Sequence, residues 1–307
     1  MNSTRQNILN TLAYFDIFHY PLAKEEVLLF HAGISTQSII NNTLDILCEE
    51  GIVFKLDEFY SIQNNISLAQ RRHKGNTFAF EQMKTAHRAA KILSKFPYVR
   101  GLAISGSLSK NYADESTDVD FFIITSPNRL WVARSLMHLF YKLIFFTGRQ
   151  RWFCMNYYVD EAGLEIEEKN IFTAIEIATL LPMYGKPVLD NFILANAWIK
   201  DHYPLCETNT NNALLVKKGF FGRLLETIFS KGLGERLDNR LMKITKKRWT
   251  KKMDKKMKNS KGLPLGMLVG KHFSKPNPVF FQNKIIAMYK AKLDAMPTHA
   301  DVAAKVV

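Results

Sequence analysis

The sequence predicts an α+β fold in three parts, and three observations support this prediction. Residues 1–66 show three stretches of helical apolar spacing followed by two short β-runs, and residues 67–195 alternate β-runs with helical stretches. Residues 196–307 show helical patterns with a large excess of lysine and arginine. We therefore predict a small helical domain with a hairpin, a central mixed sheet flanked by helices, and a basic, all-helical C-terminal domain.

The N-terminal domain is predicted to contain three helices, with Ser35 as the N-cap of the third and Gly51 at its end. Two β-runs around residues 56–58 then form a hairpin. This order resembles the winged helix, a member of the helix-turn-helix class, which implies DNA binding. However, residues 1–66 hold three basic residues against eight acidic ones, and the third helix has no lysine or arginine for phosphate contacts. A structural or protein-contacting role is therefore favoured over DNA binding.

The central domain is predicted from three β-runs with helices between them. The predicted strands cover residues 98–105, 119–125 and 152–159, and the predicted helices cover residues 67–96, 127–146 and 171–181. The most apolar helix is interrupted by Arg134, His138 and Lys142. It therefore predicts a helix of a soluble domain, and we expect no transmembrane segment.

Two aspartates, Asp118 and Asp120, stand at the start of a strongly apolar β-run. Side chains alternate along a strand, so both carboxylates point to one face while Val119 points to the other. Two like charges beside a buried strand are unfavourable unless a cation lies between them. Oxygen ligands with two negative charges suit Mg²⁺, which commonly binds one or two carboxylates together with substrate phosphates. The pair therefore predicts a magnesium site.

The turn that precedes this pair has the features of a phosphate site. Gly106 and Ser107 follow a predicted strand and open a short helical segment, where backbone N–H groups are available to a phosphate. Ser107 adds a hydroxyl, Lys110 adds a positive charge, and Asn111 suits a left-handed helix end. A phosphate site and a magnesium site on adjacent strands together predict a bound nucleoside triphosphate.

Gly106-Ser107, ten further residues, and then Asp118-Val119-Asp120 before an apolar strand resemble the signature of the DNA polymerase beta-like nucleotidyltransferase superfamily. The resemblance covers residues 98–185. It implies that Asp118 and Asp120 hold two Mg²⁺ ions. It also implies that Gly106, Ser107 and Lys110 hold the phosphates of a triphosphate such as ATP. The implied reaction transfers a nucleoside monophosphate to a hydroxyl of an unidentified acceptor and releases pyrophosphate.

The superfamily commonly has a third catalytic carboxylate on a later strand, and this sequence departs from that pattern. The polar residue within the predicted strand 152–159 is Asn156, which can ligate a metal but cannot act as a base. The alternatives are Asp160, Glu161 and Glu165, which follow the strand. If none of them reaches the pair, the protein is instead expected to be a non-catalytic, nucleotide-sensing regulator or an interaction protein.

The basic part of the chain, residues 217–292, holds 21 lysines and arginines against four acidic residues. This excess predicts contact with a polyanion, either RNA, DNA or an acidic membrane surface. Trp249, which lies among lysines and arginines, suits base stacking or a lipid interface. The alternative is that Trp249 packs on the core while the cations are only solvated.

The location of the protein is predicted from its cysteines and its first residues. Cys48, Cys154 and Cys206 are far apart and show neither paired nor metal-binding spacing. The first residues show no apolar stretch after a basic start, which predicts no secretory signal. The sequence therefore predicts a cytoplasmic protein.

Overall fold

The structure is a computed structural model that describes residues 2–146, 148–228, 232–258, 264, 266–276 and 278–296. Its contacts divide the chain into two compact units. The described residues of the first unit are 2–73, 200–206 and 281–296, and those of the second unit lie within 74–199 and 207–280. This division differs from the predicted domains 1–66, 67–195 and 196–307, because the C-terminal third is shared between the two units.

Residues 2–66 of the first unit form three helices and a three-stranded antiparallel sheet of order β1-β3-β2. The elements are α1 (Asn2–Asp16), β1 (Leu22–Ala23), α2 (Lys24–Leu29), α3 (Gln37–Glu49), β2 (Phe54–Leu56) and β3 (Phe59–Ser61). The N-cap of α3 is Thr36 rather than Ser35, because the Thr36 hydroxyl accepts a hydrogen bond from the Ile39 N–H. The predicted order of three helices and a hairpin is present.

The helix α4 (Ser67–Leu93) connects the two units, and the second unit contains a six-stranded mixed sheet. Its elements are β4 (Val99–Ser105), β5 (Asp120–Thr125), α5 (Leu130–Phe145), β6 (Cys154–Asp160), α6 (Ile171–Ala178), β7 (Leu181–Tyr184), α7 (Lys186–Ala195), α9 (Phe220–Ile228), α10 (Gly232–Asp254), β8 (Met267–Val269) and β9 (Phe273–Pro276). The short helix α8 (Ile199–His202) begins in the second unit and continues into the first. The last helix, α11 (Pro278–Asp294), continues into the first unit. The strand order is β7-β4-β5-β6-β9-β8.

The core of the second unit lies between one face of this sheet and two helices. Phe121 and Ile123 of β5 are fully buried there with Trp131 of α5, and small residues of α4 such as Ala90 allow the helix to approach closely. Burying side chains of this size contributes about 2 kcal/mol each. The strand β5 pairs antiparallel with β4 and parallel with β6, as the helix between β5 and β6 requires.

The prediction of an all-helical C-terminal domain is wrong, because β8 and β9 extend the sheet from β6. These strands have three and four residues and lie among prolines and glycines, so they give almost no alternating pattern. The edge strand β7 was also not predicted, because it contains Pro182, which is tolerated at the edge of a sheet. The coarse class, a mixed α+β fold, is confirmed.

Within the described part of the chain, no helix combines the length and the apolar character needed to cross a membrane.

Candidate functional site

The turn after β4 has a backbone that suits glycine. Gly106 has a φ of +72°, and the segment Leu108–Lys110 forms one turn of 3₁₀ helix. Asn111 ends that turn in the left-handed conformation with a φ of 54°, as its sequence position predicted. The Ser109 hydroxyl donates a hydrogen bond of 2.8 Å to the Gly106 carbonyl, which fixes the turn, while Ser107 is exposed.

Asp118 and Asp120 flank Val119, which is fully buried. The Val119 N–H donates to the Arg151 carbonyl, and the Val119 carbonyl accepts from the Cys154 N–H, so the backbone is extended here. Because side chains alternate along an extended chain, Asp118 and Asp120 lie on the face opposite Val119. Both carboxylates are partly exposed, so a cation can reach them from solvent.

The glycine turn and the acidic pair are in direct contact. Ser105 pairs with Asp120 across β4 and β5, which places Gly106 beside the Asp120 carboxylate. A Cβ atom at position 106 would lie only 2.6 Å from Asp120 Oδ2. The backbone angle therefore favours a glycine, and any side chain at position 106 would displace the Asp120 carboxylate.

Two cations lie near this site, and their contacts differ. The ammonium of Lys110 donates to a carboxylate oxygen of Glu176 at 2.8 Å and to the Gly106 carbonyl at 3.1 Å, so it is held against the turn. The Arg151 guanidinium lies 4.0 Å from Asp118, and the Arg151 side chain is exposed while that of Asp118 is partly exposed. Arg151 also donates to the Glu115 carbonyl.

Tyr141 lies near the C-terminal end of α5, which leads back to the start of β6 and therefore to the edge of the sheet that holds Asp118. Burial raises the pKa of the Tyr141 phenol, and the Cys154 thiol and the Asp118 carboxylate raise it further. The phenol therefore stays protonated at neutral pH and remains a hydrogen-bond donor near Asp118.

Neither Arg151 nor Tyr141 was predicted as a site residue. The predicted order of strand, helix and strand could have indicated them, because it implies that β5 and β6 are parallel, as they are. Parallel strands begin at the same edge of a sheet. The residues before β6 and at the end of the helix that precedes it are therefore brought beside Asp120.

The position for a third carboxylate is occupied by other residue types. Cys154 is the register partner of Asp120, and Asn156 lies at a β-bulge, where the pairing shifts between Phe121 and Phe122. Asp160 pairs with Thr125 at the other end of β5, five residues from Asp120. At 3.3 Å per residue this separation is roughly 16 Å.

Asp160, Glu161 and Glu165 therefore do not complete the acidic pair. Asp160 is fully buried, and its carboxylate accepts hydrogen bonds from the Asn128 N–H at 2.9 Å and from His272 Nδ1 at 2.9 Å. Glu161 and Glu165 are exposed at the same distant end. A cleft opens there and is lined in part by His272 and Glu165.

A comparison with protein-family models, curated proteins and solved structures finds no match.

Among the residues that the structure describes, one group of three potential metal ligands lies close enough to share an ion. It consists of Asp57, Glu58 and His73 in the first unit, all exposed, with His73 Nε2 3.4 Å from each carboxylate. Exposed acidic groups of this kind are common without a metal. The pair Asp118 and Asp120 has no third described Asp, Glu, His or Cys at such a distance.

The basic segment 217–292 is only partly described, and Lys231 and Lys261 lie outside the described residues. Trp249 of α10 is partly buried against the core, and the ammonium of Lys252 lies 4.8 Å from the centre of its ring. Met253 and Met257 are exposed, together with the lysines around them. Trp249 therefore packs on the core, whereas the remainder of this helix end faces solvent.

Proposed function

We propose that this protein binds a nucleoside triphosphate with Mg²⁺ at Asp118 and Asp120 and transfers a nucleoside monophosphate to a hydroxyl of an acceptor, releasing pyrophosphate. The contact between the Gly106 turn and the Asp120 carboxylate carries the proposal. It joins a glycine turn with an exposed Ser107, which suits phosphate oxygens, to two oxygen ligands, which suit magnesium. The antiparallel and parallel pairing of β4, β5 and β6 agrees with the nucleotidyltransferase resemblance.

The donor set fits Mg²⁺, because Asp118 and Asp120 present carboxylate oxygens on one face and solvent has access to both. When bound, Mg²⁺ lowers the pKa of an acceptor hydroxyl and stabilises negative charge on the transferring phosphoryl group. The exposed Ser107 hydroxyl can donate to a phosphate oxygen. Lys110 holds the turn through the Gly106 carbonyl, and Arg151 adds positive charge beside Asp118.

A second candidate function is nucleotide binding without transfer. The observation that favours it is Cys154, which is paired with Asp120 where a third carboxylate would have to lie. Asp160, the nearest acid along β6, lies roughly 16 Å away along the strand. Without an acid that can accept the proton of the acceptor hydroxyl, a bound triphosphate would act as a signal rather than a substrate.

Calorimetric titration of each ribonucleoside triphosphate with Mg²⁺ tests the site. Binding should be lost in Asp118→Asn/Asp120→Asn and retained in Asp57→Asn/Glu58→Gln, a control that removes two charges from the other acidic cluster. Release of pyrophosphate with candidate hydroxyl acceptors then separates transfer from binding alone. If no triphosphate binds to the unaltered protein, both candidate functions are refuted.

A further inference from the structure

The helices α5 and α10 lie side by side and run in the same direction in the second unit. Near their beginnings, the Asp238 carboxylate of α10 accepts a hydrogen bond of 2.9 Å from the Val132 N–H of α5, and Leu237 packs beside Val132. Further along, Leu136 of α5 and Leu241 of α10 belong to one apolar cluster, and Tyr141 of α5 and Trp249 of α10 pack against the same core. The C-terminal halves of the two helices therefore form one surface.

Large apolar side chains cover the α5 part of this surface without being buried. Leu139, Leu143 and Phe146 follow one another at helical spacing, and they are 57%, 61% and 87% exposed. Phe145 is 59% exposed and contacts the ring of Phe146. Exposed apolar residues are ordinary when scattered singly, but a contiguous group of four marks a site of interaction.

The same surface is strongly basic. Its exposed cations are Lys142, Arg149, Arg248, Lys251, Lys252, Lys255 and Lys256. One acidic residue, Asp254, lies among the described cations of α10. Burial and the charges of four cations, Arg134, Lys142, Lys252 and Arg248, lower the pKa of His138. Lys142 lies on α5 next to Leu143 and one turn from Leu139, so positive charge is present within the apolar group itself.

We infer that this surface, the α5–α10 face, docks onto an anionic lipid membrane. Its apolar members are Leu139, Leu143, Phe145 and Phe146, and its cations are those named above. At a lipid interface, the apolar side chains enter the boundary of the acyl chains while lysines and arginines meet the negative headgroups. A nucleic acid would satisfy the cations but leave the aliphatic side chains in water.

This inference goes beyond the proposed function and does not depend on it. The helix α5 leads from the end of β5 back to the start of the parallel strand β6, so its apolar C-terminal end and the acidic pair are at the same end of the sheet.

Vesicle flotation with the full chain tests the inference. Phosphatidylcholine vesicles with and without 30% phosphatidylserine are compared at about 150 mM salt. Two variants address the two components of the surface, Leu143→Gln/Phe146→Gln and Lys251→Glu/Lys252→Glu. Matched controls alter exposed residues elsewhere in the same unit, Leu194→Gln on α7 and Arg88→Glu/Lys91→Glu on α4.

We expect binding to the anionic vesicles that neither control weakens. At about fivefold per cation, the Lys251→Glu/Lys252→Glu variant should lose at least about 25-fold in affinity. Leu143→Gln/Phe146→Gln removes two apolar side chains that would enter the membrane, so vesicle binding should weaken at least about tenfold.

Two results would overturn the inference. One is the absence of binding to anionic vesicles by the unaltered protein. The other is unchanged vesicle binding in Leu143→Gln/Phe146→Gln together with a large loss in Lys251→Glu/Lys252→Glu. That second result identifies a purely electrostatic polyanion surface, and retention of RNA affinity by the apolar variant would then assign the surface to nucleic acid.

Discussion

Replacement of Gly106 by alanine tests the close contact between the turn and the acidic pair. The backbone has a φ of +72°, and for a residue with a Cβ atom this conformation costs about 1–2 kcal/mol. The new Cβ atom would also lie 2.6 Å from Asp120 Oδ2, whereas real Cβ contacts are longer than 3.0 Å. The carboxylate must therefore move by at least about 0.4 Å, the difference between these distances.

Gly148→Ala is the matched control, because Gly148 has a φ of +71° and no atom within 4 Å of an added Cβ. Gly148→Ala should lose about 1–2 kcal/mol of stability in urea unfolding, or about 2–8 °C in Tm, and Gly106→Ala should lose more because its new Cβ atom must also displace the Asp120 carboxylate. Gly106→Ala alone should bind MgATP about tenfold more weakly, because one of the proposed ligands is displaced.

A double-mutant cycle separates the clash from the backbone cost. In an Asp120→Ala background, Gly106→Ala should cost no more stability than Gly148→Ala, since the opposing carboxylate is gone. Two results would refute the reasoning. One is that Gly106→Ala binds MgATP as tightly as the unaltered protein. The other is that Gly106→Ala costs the same stability with and without the Asp120 carboxylate, and no more than Gly148→Ala costs.

Three further substitutions test other parts of the second unit. Burial would raise the pKa of Glu226, but hydrogen bonds from Arg100 and from the Tyr98 N–H outweigh this effect and lower it. Glu226→Gln should therefore cost about 2 kcal/mol of stability in urea unfolding at pH 7 and less at low pH, where the glutamate is protonated. An equal loss at both pH values would contradict this. Burial raises the pKa of Asp238 to about 6 although the Val132 and Trp131 N–H groups oppose the shift. An unfolded aspartate ionises near pH 4, so the buried Asp238 carboxyl lowers the stability of the protein as the pH rises from about 4 to 6. Over that range, unfolding measured as a function of pH should show Asp238→Asn gaining up to about 3 kcal/mol relative to the unaltered protein. Asp160→Ala should lose about 2–4 kcal/mol of stability in thermal unfolding, because three hydrogen bonds to the carboxylate disappear. Its MgATP binding, measured below its Tm, should be unchanged. Loss of that binding would place Asp160 in the nucleotide site.

The sequence predicted the parts of the site that depend on local rules. The alternation of side chains placed Asp118 and Asp120 on one face, and glycine before a polar turn predicted the position of the backbone loop. The left-handed conformation of Asn111 was predicted for the same kind of reason. These features involve residues adjacent in the chain, so their geometry follows from the preferences of individual residues.

Other features could not be predicted because they depend on pairing between distant segments. The third-carboxylate position was assigned to Asn156 by its place in the predicted strand, but the register pairs Cys154 with Asp120 and leaves Asn156 unpaired in a β-bulge. A bulge of one residue changes register without leaving a pattern in the sequence. The strands β8 and β9 form because β6 offers a free edge, which the sequence alone does not reveal.

The sequence by itself determined that a glycine turn and two aspartates would flank adjacent strands, and that the C-terminal third would be strongly basic. Only the tertiary structure decided that Gly106 contacts the Asp120 carboxylate and that Asp160 lies at the far end of the sheet beside His272. It also decided that the apolar end of α5 and the cations of α10 share one surface. The physical reason is that residue type and spacing fix local conformation, whereas strand register and helix packing are set by the burial of surfaces from distant parts of the chain.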